Sequence, residues 1–544
     1  LKKQNFLQGA LILVLASMIV KIFGAIFKIP LTNIIGVTSM AYFNTAYGFY
    51  VIFYMISTAG IPVALSKLIS SAEARNNKKE TAKIFKVAYI LFFILGFVGS
   101  LLMLLFSKNY SRYVHLDGLH YSIISISITL FFMCITSAYR GYFQGLNNMT
   151  PTAISQIIGA VGKLFIGLIV AYFAVKANLP SYTVSALTLL GITTGSIGST
   201  IFLYFYKKIC DKKESYSISQ LNTPTTPSSK LLKELVIIAI PITLSATILS
   251  LTNTIDTTLM VRRLVKSGID TLQAQKIMGA YTSMSVPINN LAPNLIYPFA
   301  VSVLPTVTGM FVSNKSDEAN KVISSILRIA SMISIPCSIG LIAFSSPIVS
   351  LLYNSNEYVT VRGKDLLATD IAANMLSVLA ISVFFVSMVS VSNALLQAYG
   401  QEKKTIISTT IGILLKVILN YVLIGNNKIA LYGAPIATVV AYMIIMILNF
   451  YFLLRYTPCL PKIFTTVAKP LFSAIVSIGL CNITFNLLKS NYSEKLLVIV
   501  LILIAIILYF ALLFVVKGVS KDDIRMLPKG KKIENLLVKV KIMK

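Results

Sequence analysis

Long apolar blocks, each closed by a short polar or basic stretch, run the length of the chain. The blocks at 87–106, 471–488 and 496–516 match or approach the roughly 20 residues that cross a bilayer core. Backbone groups cannot stay unpaired in lipid, so such blocks are helices or strands of a closed barrel. They are too long, and alternate too little, for barrel strands. The pattern predicts an all-α integral membrane protein of about fourteen transmembrane helices. The spans fall near 6–30, 41–66, 84–106, 120–144, 151–174, 181–206, 232–259, 277–310, 322–352, 367–397, 405–425, 430–454, 464–487 and 494–517. The first block is too long for the apolar core of a cleavable signal and lacks a small-residue cleavage pattern, so it reads as the first span.

Composition agrees: of 544 residues, 56% are apolar and 12% charged, where soluble domains carry about 25% charged residues. The net charge of +30 does not point to nucleic acid, because the basic residues sit between apolar blocks and in the tail. With the N-terminus in the cytoplasm, most of them fall on the inner side, including Arg75, Lys78 and Lys79, the run from Lys207 to Lys233, and Lys403 and Lys404. That is the positive-inside pattern. The loop with Arg262, Arg263, Lys266 and Lys276 is the exception. An even span count returns the C-terminus to the cytoplasm, where the basic tail at 518–544 meets anionic membrane lipids or serves only as a solvated topology signal. The expected location is the cytoplasmic membrane, multi-pass, with both termini inside. The cysteines Cys134, Cys210, Cys337, Cys459 and Cys481 are scattered and read as small core residues. His115 and His120 lack a third ligand, so no metal site is expected.

Shifting the fifth span by 253 residues lays it on the eleventh. Gln144, Thr152, Ile154, Ser155, Ile158, Gly159 and Lys163 then meet Gln397, Thr405, Ile407, Ser408, Ile411, Gly412 and Lys416, each an identity. Two six-helix units in tandem keep one orientation, a parallel repeat about an axis along the membrane normal. The expected organisation is an N-terminal lobe at 1–210, a cytoplasmic linker at 211–230, and a C-terminal lobe at 231–456. Two extra helices at 457–517 and the tail follow. The Thr-Pro-rich run in the linker is the natural boundary.

Four lysines lie inside spans: Lys21, Lys28, Lys163 and Lys416. The clearest acidic counterpart is Asp256. A charge at the bilayer centre costs at least about 2.5–3.5 kcal/mol, so such residues usually face a cavity and mark function. Lys21 and Lys28 are two turns apart, on one helix face. Lys163 and Lys416 occupy repeat-related positions and can approach each other across the pseudo-axis. So many cations against one anion make a poor set of ion pairs and a better lining for a polyanion. For Lys28 the competing reading is snorkelling to the outer interface; Asp256 reads as a coupling group or as a neutraliser of Lys21 or Arg262. Tyr47, Tyr50 and Tyr54 share one helix face, either for packing or for stacking a sugar. The eighth span is interrupted by Pro287, Pro293, Pro298 and Pro305 and, with Pro62 near the end of the second span, is a candidate gate. Gly159-Ala160-Val161-Gly162-Lys163 lacks the gap and the Ser/Thr of a phosphate loop. No segment can house an ATPase and no catalytic motif appears, so the chain reads as a transporter and not an enzyme, needing no cofactor. The energy source is then an ion gradient, the membrane potential or consumption of the substrate on the far side.

The segment from Ile19 to Gly36, with Lys21, Gly24, Lys28, Pro30 and Asn33, resembles the first helix of the MurJ-like flippases. The likeness is to the branch with stage V sporulation protein B and the polysaccharide exporters of Gram-positive bacteria. Ser57 to Lys67 resembles that branch's second helix, and Met284 to Pro305 its eighth. Ala239-Ile240-Pro241-Ile242-Thr243 with Asp256 resembles the seventh helix of the wider multidrug/oligosaccharidyl-lipid/polysaccharide (MOP) superfamily. The resemblance implies two six-helix lobes around a cationic cavity, plus two further helices. It also implies flipping of an undecaprenyl-pyrophosphate-linked oligosaccharide, typically the peptidoglycan precursor lipid II, by alternating access. It maps the family's first-helix cavity base onto Lys21, where better-known members carry arginine. Phe27 stands where a second arginine falls, and no base stands at Ser283–Ser285. Lysine binds phosphate as a point charge, without arginine's bidentate fork. The expected partners are a lipid-linked anionic glycan, its polyprenyl tail held along the two extra helices, and cell-wall synthesis proteins. The alternative is a cation-coupled, MATE-like multidrug antiporter, which calls for acidic residues in the cavity.

Overall fold

The computed structural model describes residues 6–213, 225–312, 315–361, 363–456, 464–520 and 523. Nearly all of them are helical. The chain divides into two compact units, Leu1–Ser283 and Met284–Lys544. The expected linker at 211–230 lies mostly outside the described residues, as does most of the basic tail.

The first unit holds α1 (Phe6–Thr58), α2 (Ile61–Ala74), α3 (Lys78–Val114), α4 (Leu119–Gly145), α5 (Thr150–Lys176), α6 (Ser181–Lys213), α7 (Ser228–Lys266) and α8 (Thr271–Ala280). The helix α1 spans what the apolar pattern divides into the first two spans, and it kinks at Gly36 (φ 75°, ψ 170°). That conformation belongs to glycine, because any Cβ clashes there. A Gly36→Ala substitution is therefore expected to destabilise the protein by about 1–3 kcal/mol, read as a lowered melting temperature in detergent.

The boundary with the second unit falls within a π-helical turn, Tyr281–Ser285. That unit holds α9 (Val286–Asn289), α10 (Leu291–Val312), α11 (Ser316–Ala343) and α12 (Ser345–Leu352). An antiparallel hairpin of β1 (Tyr358–Val361) and β2 (Lys364–Leu367) follows. Then come α13 (Ala368–Leu379), α14 (Ser382–Ala398), α15 (Glu402–Ile424), α16 (Ala430–Leu453), a π-turn Phe464–Ala468, α17 (Lys469–Leu488) and α18 (Glu494–Val515). Beyond α18, Asp523 is buried against Arg328 of α11, whose Nη2 donates to Oδ1 at 2.8 Å and whose Nε donates to both carboxylate oxygens. The tail thus starts with an anchored carboxylate that its basic composition hides.

Among the described residues, ten helices are long and apolar enough to cross a membrane, or eleven if the bent pair α13–α14 is one span. The count falls short of fourteen for two reasons. The first two expected spans run on without a break in helix, and the seventh and eighth lie partly outside the residues whose side chains are described. The eighth is also broken, as its prolines predict: π-turn, four residues of helix, then α10.

The repeat is visible in the backbone. Adding 253 to the last residue of α4, Gly145, gives Ala398, the last residue of α14. The same shift carries Asn147 (φ 53°) onto Gly400 (φ 68°), so both turns reverse direction through a left-handed residue at one register.

Candidate functional site

The two halves of α1 close on the segment that leads into the π-turn. Gly279 lies against the kink so tightly that a Cβ there would meet the Val37 carbonyl oxygen at 2.0 Å. Before the kink, Lys28 Nζ donates to the Thr282 carbonyl at 3.0 Å. After it, Asn44 Nδ2 donates to Thr282 Oγ1 at 3.0 Å and Ser283 Oγ at 2.8 Å. A π-turn carbonyl seeks a donor five residues on; for Thr282 that residue is Pro287, which has no N–H. Lys28 supplies a donor instead. This bond draws the Lys28 ammonium into the unit, where it is half-buried, and snorkelling does not describe it.

Lys163 reaches the same region from α5. Its Nζ stands 4.9 Å from the centroid of Phe27 and 5.3 Å from that of Tyr47. Those rings lie on opposite sides of the kink, so only a folded α1 brings both to one ammonium. Lys28 and Lys163 are close enough for their charges to repel. Cation–π contact returns about 2 kcal/mol where water is excluded, which does not neutralise the charge. What fixes Lys163 is the glycine pair that resembles a phosphate loop. Gly162 faces the Gly195 backbone of α6, where a Cβ would come within 2.5 Å, and Gly195 faces the Gly159 carbonyl at 2.5 Å. Small residues let helices in lipid approach backbone to backbone. In the second unit Gly412, the repeat counterpart of Gly159, instead takes the side chain of Ile445 of α16 against it.

From Phe27 a ladder of rings runs along the second half of α1. Phe43 is 6.2 Å from Phe27 and stacks on Tyr47 at 6.3 Å; Tyr50 follows at 5.8 Å and Tyr54 at 5.6 Å. Tyr47 and Tyr54 keep accessible surface while Tyr50 is buried. At the far end Arg140 of α4 stands within electrostatic reach of Tyr50 and Tyr54, and its Nε donates to Ser155 Oγ at 2.9 Å. The apolar pattern does not mark Arg140. It lies five residues from the end of its span, where basic residues ordinarily anchor a helix at the interface. The available signal was its repeat counterpart, Asn393, which is uncharged.

Lys21 is exposed on α1, beside exposed Ile22 and Ile26. Asp256 is buried on α7, 5% exposed, where that helix packs on Gly48 of α1 through Thr254 and Thr257. Arg262 lies over the Tyr113 ring at 4.7 Å. Lys416 is in the second unit and 1% exposed. Pro62 opens α2 and its carbonyl faces Gly141. Pro287 and Pro293 flank the break before α10; the side chain of Pro305 is outside the described residues. The second unit also contains an apolar cavity of about 410 Å³. Met332 and Phe344 line it from one side, and Ile478, Ile502, Ile506 and Tyr509 of the last two helices from the other.

Comparison with known proteins places this arrangement. The profile of a family described as "Polysaccharide biosynthesis protein" matches residues 6–311, and that of MatE matches 241–422. The lipid II flippase MurJ of Bacillus subtilis is 25% identical over 490 residues, covering 87% of this chain and 88% of the relative. Stage V sporulation protein B of the same organism is 23% identical, covering 97% of this chain and 98% of the relative. Among solved structures, a lipid II flippase MurJ in an inward closed conformation aligns with a TM-score of 0.64 at 17% identity, covering 92% of this chain and 98% of that one. An inward-facing MATE family transporter of the MOP superfamily aligns with a TM-score of 0.67 at 15% identity, covering 81% and 94%.

Proposed function

We propose, from the premise that this chain belongs to the polysaccharide biosynthesis protein family and is a multi-pass membrane transporter of the MOP superfamily, that it flips an undecaprenyl-pyrophosphate-linked oligosaccharide across the cytoplasmic membrane by alternating access. One observation carries the reading: Lys28 and Lys163 share a region of the first unit in which, among the described residues, a carbonyl and ring faces, not a carboxylate, meet their ammonium groups. A buried cation is ordinarily paired with an anion. A pyrophosphate head group supplies the missing charge, and lysine binds it as a point charge. Lys21 on α1 and Lys416 in the second unit complete the proposed set. Asp256 is the proposed charge-balancing group.

The lobes at 1–210 and 231–456 are the proposed moving bodies, with the linker at 211–230 between them. Pro62, Pro287, Pro293 and Pro305 are the proposed gating residues. The apolar cavity against α17 and α18 supports a polyprenyl chain that stays in a greasy groove while the head group crosses. Both termini are proposed to be cytoplasmic, and the tail at 518–544 to lie against anionic lipids. The MatE match keeps a cation-coupled drug antiporter as the second reading. A site lined by cations repels a cationic drug, which favours the flippase.

The test is depletion of the protein in its own cells, followed by assay of lipid-linked precursors on each leaflet. Accumulation of one pyrophosphate-linked glycan on the inner leaflet is expected. Unchanged precursors together with new sensitivity to cationic drugs would favour the antiporter.

A further inference from the structure

We infer that Arg140, with Tyr54 and Tyr50, forms a second anion subsite at the far end of the ring ladder from Lys163, and that this subsite takes a carboxylate borne on the glycan head group. The inference rests on the flippase reading and adds to it the class of head group.

Three observations carry it. The first is the partnership of Arg140. Among the described residues its guanidinium makes a single side-chain hydrogen bond, to a hydroxyl, and no ion pair with a carboxylate. The phenols of Tyr54 and Tyr50 lie within electrostatic reach of it. A half-buried guanidinium with one edge fixed by Ser155 presents its remaining N–H groups as a planar fork, the shape that matches a carboxylate.

The second is the repeat. At the register that pairs Lys163 with Lys416, Arg140 pairs with Asn393. In the second unit that position is closed. Asn393 Oδ1 accepts from Asn449 Nδ2 at 2.8 Å, the same amide donates to Ser392, and its oxygen accepts from Ser408. Ser408 is the counterpart of Ser155. One unit satisfies this corner with a neutral amide network. The other places there a cation that, among the described residues, has no carboxylate partner, which a purely structural corner does not require.

The third is spacing. Tyr47 and Tyr54 are seven residues apart on a helix, about 10 Å of rise. Lys163 stands over Tyr47, and Arg140 is within electrostatic reach of Tyr54 and Tyr50. The stretch of ladder between Tyr47 and Tyr54 is therefore about as long as two sugar rings, and both of those rings keep part of their surface accessible. An aromatic face is electronegative and attracts the C–H groups of a pyranose. The geometry suits an elongated head group with phosphate at one end, sugars along the ladder and a carboxylate at the other end.

The experiment uses the full-length protein in detergent and three fluorescent polyprenyl-pyrophosphate probes. One bears a neutral disaccharide, one a disaccharide containing a uronic acid, and one the neutral disaccharide with a short acidic peptide. Wild type is expected to bind at least one carboxylate probe about tenfold more tightly than the neutral probe. Whichever carboxylate probe gains tells whether the group comes from a sugar or a peptide. Arg140→Gln is expected to erase that gain and leave the neutral probe within twofold, Arg140→Lys to keep part of it, and Lys163→Ala to weaken all three. Equal wild-type affinity for all three probes overturns the subsite, whatever the variants do. So does an equal loss on all probes in Arg140→Gln. If wild type binds none of them, the flippase reading itself fails and the subsite with it.

Discussion

Replacing Lys163 with alanine is expected to abolish transport while leaving the protein folded in the membrane. The ammonium of Lys163 has ring faces as neighbours and the charge of Lys28 near it, so the folded state gains little from its charge. Removing it relieves repulsion and a desolvated cation, and the melting temperature in detergent should hold or rise. A bound pyrophosphate loses a charge-assisted contact worth about 2–5 kcal/mol when one partner of such a pair is truncated. At 1.4 kcal/mol per factor of ten, that is a loss of at least about 30-fold. Complementation of a depleted strain, read beside membrane abundance and melting temperature, checks it. Full complementation would remove Lys163 from the site. Failure accompanied by lost protein would mean that its role is structural.

Gly279→Val is expected to have the opposite signature, with the fold itself failing. A Cβ at Gly279 would sit 2.0 Å from the Val37 carbonyl oxygen and 2.8 Å from its carbon. Both are backbone atoms of the kink, which no side-chain rotation can move away. The nearest relief is to shift α8 away from α1, and that pulls Thr282 and Ser283 from Lys28 and Asn44. Overpacking typically costs about 1–3 kcal/mol and occasionally more, and the backbone position of the clash puts this one at the upper end. The yield of monodisperse protein and its melting temperature read the effect. Gly479→Val is the control, because a Cβ there meets nothing within 4 Å. A well-folded Gly279→Val protein would mean that the kink and the π-turn do not depend on each other.

The chain's apolar blocks, its repeat and its out-of-place lysines were legible without coordinates, because each is a one-dimensional property. Span length follows from bilayer thickness, and a charge is costly in lipid wherever its helix points. The glycines at 159 and 162 were visible as a motif, but their partners on α6 were not. Lys21 and Lys28, two turns apart, share a face by spacing, yet one is exposed and the other turned inward by its bond to the Thr282 carbonyl.

What the sequence determined by itself was an all-helical membrane transporter of doubled design with too many cations inside it. The tertiary structure decided which of those cations meet. It folded α1 at Gly36 so that Phe27 and Tyr47 reach one ammonium, and it set Arg140, an ordinary helix-end residue by position, beside a ladder of tyrosines. The reason is geometric. Which helix faces meet depends on kinks, rotations and backbone approach between segments far apart in the chain, and residue spacing along one helix carries no record of them.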